Sequence, residues 1–405
     1  MKLRSKSPIP ALTSQARLKR SLRHHLHKLG FEKNSDGGLS APPQDKQSVR
    51  NLHVDQKRER LRTNHEFIKS SLEHLAPQFA HGSDIDPSQI RLRLERVKAG
   101  TLESELFRLA SLTWAIPVSN GYGRRLRYLV RDSQNEKLVG LIALGDPVFN
   151  LNVRDSLIGW SASDRASRLV NILDAYVLGA LPPYSFLLGG KAVSCLVRTK
   201  EVYNDFRAEY GRAKGLISGE EKNARLLAVT TSSALGKSSV YNRLKLGNTS
   251  YFRSIGFTAG WGHFHIPDDL FLKMREHMRE IQHPYADQHR FGNGPNWRLR
   301  TIREGLKLLG MDESLLRHGV KREVFISEFA ENALGYLRTG RGKIRLASLL
   351  TADEVSTLAV ERWMKPRAAR RPEYRSWVRE ALFQNSLQVQ NFSSPQARIP
   401  TLISS

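Results

Sequence analysis

Leucines at 18, 22, 26 and 29 recur at helical spacing in LTSQARLKRSLRHHLHKLGF (12–31), while Arg17, Arg20, Arg23, Lys28 and three histidines take the other faces. That pattern predicts an amphipathic helix closed at Gly30. EKNSDGGLSAPPQDKQS (32–48) has no period and many turn formers, as a linker does. Two further helical patterns follow near 53–76 and 87–114, separated by APQFAHGSDIDP. The period then changes. RLRYLVR (125–131) and KLVGLIAL (137–144), joined by DSQNE, predict a hairpin. ASDRASRLVNILDAYVLGAL (162–181) places Leu169, Ile172, Leu173, Tyr176, Val177 and Ala180 at the spacing of an amphipathic helix that Pro182 ends. A helix after Gly189-Gly190 turns Val193, Leu196, Val197, Tyr203 and Phe206 inward. ARLLAVTT (224–231) reads as a buried strand and SIGFTAGWGHFHIP (254–267) as a later one. Behind Pro267 the patterns are helical, at 268–282, 298–309 and about 351–383.

Strands interspersed with helices predict an α/β core with helical N-terminal and C-terminal extensions. The expected organisation is a basic helical arm and linker over 1–50, a helical segment over 51–119, and the α/β core over 120–267. A basic helical region over 268–383 and a loose tail over 384–405 complete it.

Composition changes this picture in one respect. Of 405 residues, 40% are apolar and 25% charged, as in an ordinary globular protein, but 64 Lys+Arg stand against 39 Asp+Glu, a net charge of +25. Sixteen basic and six acidic residues fall within 1–70 alone. Such an excess points to a polyanion, nucleic acid first, with an anionic membrane surface as the competing reading. No membrane span is expected, because the longest apolar candidate, 169–188, is interrupted by Asp174 and Pro182-Pro183. The N-terminal charges have no apolar segment behind them, unlike a secretory signal, and Cys195 is the single cysteine, so a reduced, cytoplasmic protein is expected. Cys195 itself reads as a buried, inert thiol.

Four stretches carry candidate chemistry. In LLAVTTSSALGKSSVYNRL (226–244) a strand leads into Gly236-Lys237-Ser238-Ser239 and a stretch that can start a helix. A nucleotide-hydrolysing P-loop needs glycine where Thr231 stands, so hydrolysis is not expected. Lys237, Ser238, Ser239 and Arg243 can still meet a phosphate at a helix start, and a plain polar turn is the bland alternative. Lys191, after Gly189-Gly190, offers a second such start; structurally, the glycines serve a tight turn or close packing. His263 and His265, two apart on a predicted strand, share a face and are the candidates for acid/base work. With no third ligand in the same motif, no metal site is expected there, and His283, Asp287 and His289 are equally under-determined. ERWMKPRAARRPEYRSWVRE (361–380) holds seven basic and three acidic residues. Arg367, Arg370 and Arg371 are its phosphate candidates, while Trp363 and Trp377 read as core.

Five ordered blocks are familiar: NGYGRRLRYLV (120–130), LVGLIALGDPVFNLNVRDSLIGWS (138–161), LGALPPYSFLLGGK (178–191), TTSSALGKSSVYNRL (230–244) and GFTAGWGHFHIP (256–267). Together they resemble the DruA family of the Druantia anti-phage defence systems of bacteria, over roughly 100–330. The resemblance implies partners in a multi-gene system that includes a large helicase-like subunit, and it transfers no catalytic residue. The order hairpin, helix, Gly-Gly helix, strand, helix, strand is similar to the acetyltransferase fold, which binds acyl-coenzyme A. That fold opens its cofactor helix with Gln/Arg-x-x-Gly-x-Gly/Ala, whereas this chain has Leu187-Leu188-Gly189-Gly190-Lys191. No cofactor is therefore the first expectation, and acyl-coenzyme A the alternative. The expected function is an anti-phage defence component that binds nucleic acid within a complex. A group-transfer enzyme using His263 or His265 is the rival.

Overall fold

The structure, a computed structural model, describes residues 12–33, 39–40, 42, 45–119, 121, 123–212, 223–287 and 297–384. The chain divides into two units, one of residues 57–258 and 322–405, the other of 1–56 and 259–321.

Among the described residues of the first unit, eight strands form one sheet. They are β1 (Leu92–Arg96), β2 (Arg125–Asp132), β3 (Leu138–Gly145), β4 (Ile172–Ala180), β5 (Ala228–Ser232), β6 (Leu244–Leu246), β7 (Thr249–Phe257) and β8 (Glu323–Glu328). Their order is β1-β2-β3-β4-β5-β8-β7-β6. Only β4 and β5 run parallel; the other pairs are antiparallel. The expected hairpin is β2–β3, and β3 is buried at every position because helices cover both faces. On one face Tyr128, Ile142, Leu173, Val229 and Phe325 pack with Val193 and Leu196 of helix Gly189–Leu196 and Val355 of helix Ala352–Ala359. The other face carries two clusters. Leu129, Leu141 and Val177 meet helices His65–Leu75 and Leu102–Leu112, while Ile172, Ala228 and Ile326 meet helices Asn152–Ile158 and Ala333–Thr339.

Several elements differ from the sequence pattern. The helix expected over 162–181 exists only as Ala162–Arg168, and Ile172–Ala180 is the central strand β4. A strand covered on both faces loses its two-residue alternation, and its apolar positions then imitate helical spacing. The helical pattern over 87–114 is strand β1 followed by helix Leu102–Leu112. Turns, not a helix, follow Gly236. Strand β8 pairs between β5 and β7, so the sheet draws on residues beyond 120–267. The 351–383 pattern is helical in pieces: Ala352–Ala359, a π-turn over Val360–Met364, Lys365–Arg370 and short 3-10 turns. Apart from Gln384, the expected tail lies outside the described residues.

The second unit is largely helical. Helix Ser14–Lys28 starts at Thr13, whose hydroxyl accepts from Ala16 N, and buries the expected Leu18, Leu22 and Leu26. It packs on helix Asp268–Glu280, with Ser14 Oγ donating to Glu280 at 2.6 Å. Helix Trp297–Leu308 crosses Asp268–Glu280 closely at Gly305, where a Cβ would lie 2.1 Å from Met274 Sδ.

Candidate nucleic-acid interface

The surface around helix Gly189–Leu196 gathers cations that are far apart in sequence. The chain leaves β4 at Ala180 and turns tightly, with Leu188 at φ +61 before the helix. Gly189 is required by contact: a Cβ there would lie 2.6 Å from Tyr184 O. Lys191, one residue on from Gly190, is half-buried, and its Nζ lies 5.7 Å from the centre of the Trp363 ring. Arg362 covers the same ring at 5.9 Å. Burial first, and then the charge of Arg362, hold the Lys191 ammonium below the ordinary lysine pKa, with Cys195 acting the other way. Arg367 Nε donates to Phe186 O at 3.3 Å. Phe186 is 41% exposed and stands edge-on to Trp377 at 5.3 Å, whose indole Nε1 is buried with no acceptor in the described structure. Lys191 and the 361–380 segment, separate in sequence, thus form one basic and aromatic surface. Arg370 and Arg371 stand on it differently: Arg370 Nε donates to Pro366 O, and Arg371 pairs with Glu373 at 3.3 Å.

The Gly236 turn lies beside that helix start, since a Cβ on Gly190 would sit 3.6 Å from Val240. Its backbone is already committed. Ser238 N donates to the Glu323 carboxylate at 3.2 Å, Glu323 N donates to Gly236 O at 3.1 Å, and Ser238 Oγ accepts from Val240 N and Tyr241 N. A carboxylate of the chain itself takes the donor that a phosphate cradle would offer. Lys237 and Ser239 remain exposed, and exposed Arg243 (φ +53) makes no hydrogen bond or ion pair among the described residues.

Between these two turns the sheet forks. Strands β4 and β5 pair only from Ile172–Ala228 to Asp174–Thr230. Beyond that, Tyr241 Oη donates to Leu178 O at 2.9 Å and Thr231 Oγ1 to Ala175 O at 2.9 Å, so side chains occupy the gap. Asp174 accepts from Thr230 Oγ1 at 2.7 Å. Burial pushes its carboxyl up to about 6, against the opposing effects of Thr230 and Arg154. Sequence reasoning took Asp174 only as an interruption of an apolar run. A lone acid inside a run that proves to be a central strand was the signal available.

His263 and His265 lie on turns, not on a strand, and belong to the 259–321 unit rather than to the unit that holds the sheet. Burial lowers both to about 4, so they are neutral near pH 7. His265 is 1% exposed, and its Nε2 meets Leu315 O at 2.7 Å. His283 Nδ1 accepts from Tyr285 N, Asp287 pairs with Arg275 and Arg279, and His289 lies outside the described residues. Among the described residues no group of three or more His, Cys, Asp or Glu side chains could hold a metal, and no helix is long and apolar enough to cross a membrane. Cys195 is buried, which raises its thiol pKa well above the usual value.

A mixed sheet with one parallel pair, and cations collected beside a helix of the connection between its two strands, define a basic α/β protein. The chain belongs to the family described as Druantia protein DruA, which matches residues 43–339. It is 55% identical over 369 residues to Druantia protein DruA of Escherichia coli (strain UMEA 4076-1), covering 91% of each chain. The family is that of a Druantia anti-phage defence system protein. No solved structure matches the chain.

Proposed function

We infer that this chain binds nucleic acid as a cytoplasmic component of its anti-phage system, in a complex with the system's other proteins, its helicase-like subunit among them. One observation carries the reading: Lys191, Arg362 and Arg367 converge with Trp363, Phe186 and Trp377 on one surface. Cations there neutralise phosphates and release counterions, and the half-open rings can stack on unpaired bases. A phosphate beside Lys191 also relieves the disadvantage that burial and Arg362 impose on its charge. Lys237, Ser239 and Arg243 act as outer contacts of the same backbone, with Ser238 shaping their turn.

The rival group-transfer reading draws on the fork between β4 and β5 beside a glycine-led helix, where Asp174 rather than a histidine would be the acid/base. The residues present fit an acyl-coenzyme A arm poorly, because Tyr241 and Thr231 already satisfy carbonyls of β4 at the fork. Binding of labelled single-stranded and duplex oligonucleotides over a salt series tests the main reading. Affinity is expected to fall steeply with salt, and an absent dependence contradicts it. Heat on titration with acetyl-coenzyme A would favour the rival.

A further inference from the structure

The loop between β3 and helix Asn152–Ile158 is held by a buried cation. Arg154 is 0% exposed; its Nη1 donates to Val148 O at 2.9 Å, its Nη2 to Phe149 O at 2.8 Å and its Nε to Asp155 at 2.8 Å. The Asp155 carboxylate accepts from Leu151 N at 3.2 Å and pairs with Arg165 at 3.3 Å. At the loop's other end Arg124 binds Asp146 at 2.7 Å. Taking a guanidinium out of water is costly, and here it serves to fix the backbone of one loop. What that loop displays is apolar: Val148 is 51% exposed and Phe149 46%. Folding gains nothing from holding two apolar side chains rigidly in water. A fixed apolar tip is, however, what a base step receives when a duplex is kinked.

The charge around the tip selects the partner. The Arg165 guanidinium lies 5.3 Å from the Phe149 ring centre. At the far end of helix Asn152–Ile158, Arg338 Nε donates to Ile158 O at 2.7 Å. Arg338 leads into the exposed turn Gly340-Arg341-Gly342-Lys343, with both glycines at positive φ. Their backbones bond to Thr339 and Asn332, but the side chains of Arg341 and Lys343 make no hydrogen bond or ion pair among the described residues. The helix between tip and turn is about 10 Å long, close to three base pairs at about 3.4 Å per step.

We propose that Val148 and Phe149 form a wedge that enters a base step of duplex nucleic acid while Arg341 and Lys343 hold flanking phosphates. The proposal rests on the nucleic-acid reading above, but not on the Lys191 surface. The wedge follows the C-terminal end of β3 and Lys191 that of its antiparallel neighbour β4, so they lie at opposite ends of the sheet.

The test uses the full chain and a duplex carrying 2-aminopurine, whose fluorescence rises when a step unstacks, with end-to-end energy transfer to report bending. The expected result for the natural chain is a fluorescence rise and a bend. V148S/F149S should abolish both while the salt slope is unchanged, and Phe149→Leu should restore them. R341Q/K343Q should flatten the slope by about two phosphate contacts, near 0.9 each. Binding without unstacking or bending overturns the wedge and leaves the nucleic-acid reading intact. No binding to any oligonucleotide overturns both. Loss of phage protection by V148S/F149S with unstacking unchanged would overturn the wedge in favour of a protein contact at this tip.

Discussion

Two glycine–lysine turns lie side by side in this fold, and their sequences suggest the same chemistry. At Gly236-Lys237-Ser238 the turn leads into further turns, and Glu323 holds its backbone donor. At Gly189-Gly190-Lys191 the turn opens a helix, and its lysine shares an aromatic ring with a second cation. The motif alone does not make a phosphate site. What matters is whether an acid of the chain already satisfies the donors, and whether other cations arrive from elsewhere.

The comparison can be broken first at Glu323. Its buried carboxylate ties the Gly236 turn to β8, so Glu323→Ala leaves Ser238 N–H unpaired and should cost about 3 kcal/mol in denaturant unfolding. An unchanged midpoint would mean the staple is idle. Next, Gly189→Ala drives a Cβ against Tyr184 O and should cost about 2 kcal/mol, the scale of a backbone overpacking. A neutral result would show that the tight helix start is not needed.

Asp174, at the fork between the two turns, is expected to act in the opposite direction. Its folded pKa, raised to about 6, means that the ionised form is disfavoured in the fold. Its contribution is therefore most favourable below about pH 4 and is lost as pH rises through 6. Asp174→Asn keeps an acceptor for Thr230 and should raise the melting temperature at pH 7.5, by about 1–2 kcal/mol equivalent. The gap to the natural chain should close by pH 4, and a pH-independent gap would refute the assignment.

The hairpin was legible in the sequence because a polar loop separates two short apolar runs, and helix Ser14–Lys28 because its leucines keep one stripe. Strand β4 was not, since burial on both faces erased the alternation. Strand β8 was missed because six residues between turns carry little signal until β5 and β7 flank them. Lys191 and Arg367 were each visible as candidates. Their shared surface was not, because it depends on Lys191 reaching Trp363 and Arg367 reaching Phe186, each more than 150 residues away in the chain. Glu323 and Arg154 were invisible for the same reason: their roles lie in long-range or buried partners rather than in spacing.

The most direct measurement compares the salt dependence of oligonucleotide binding for the natural chain, K191Q/R362Q/R367Q and K237Q. The triple variant should lose two to three phosphate contacts from the slope and at least about tenfold in affinity near physiological salt, whereas K237Q should change affinity by no more than about threefold. Equal losses in the two variants, or a larger one for K237Q, would contradict the placing of phosphate contact at the Lys191 surface.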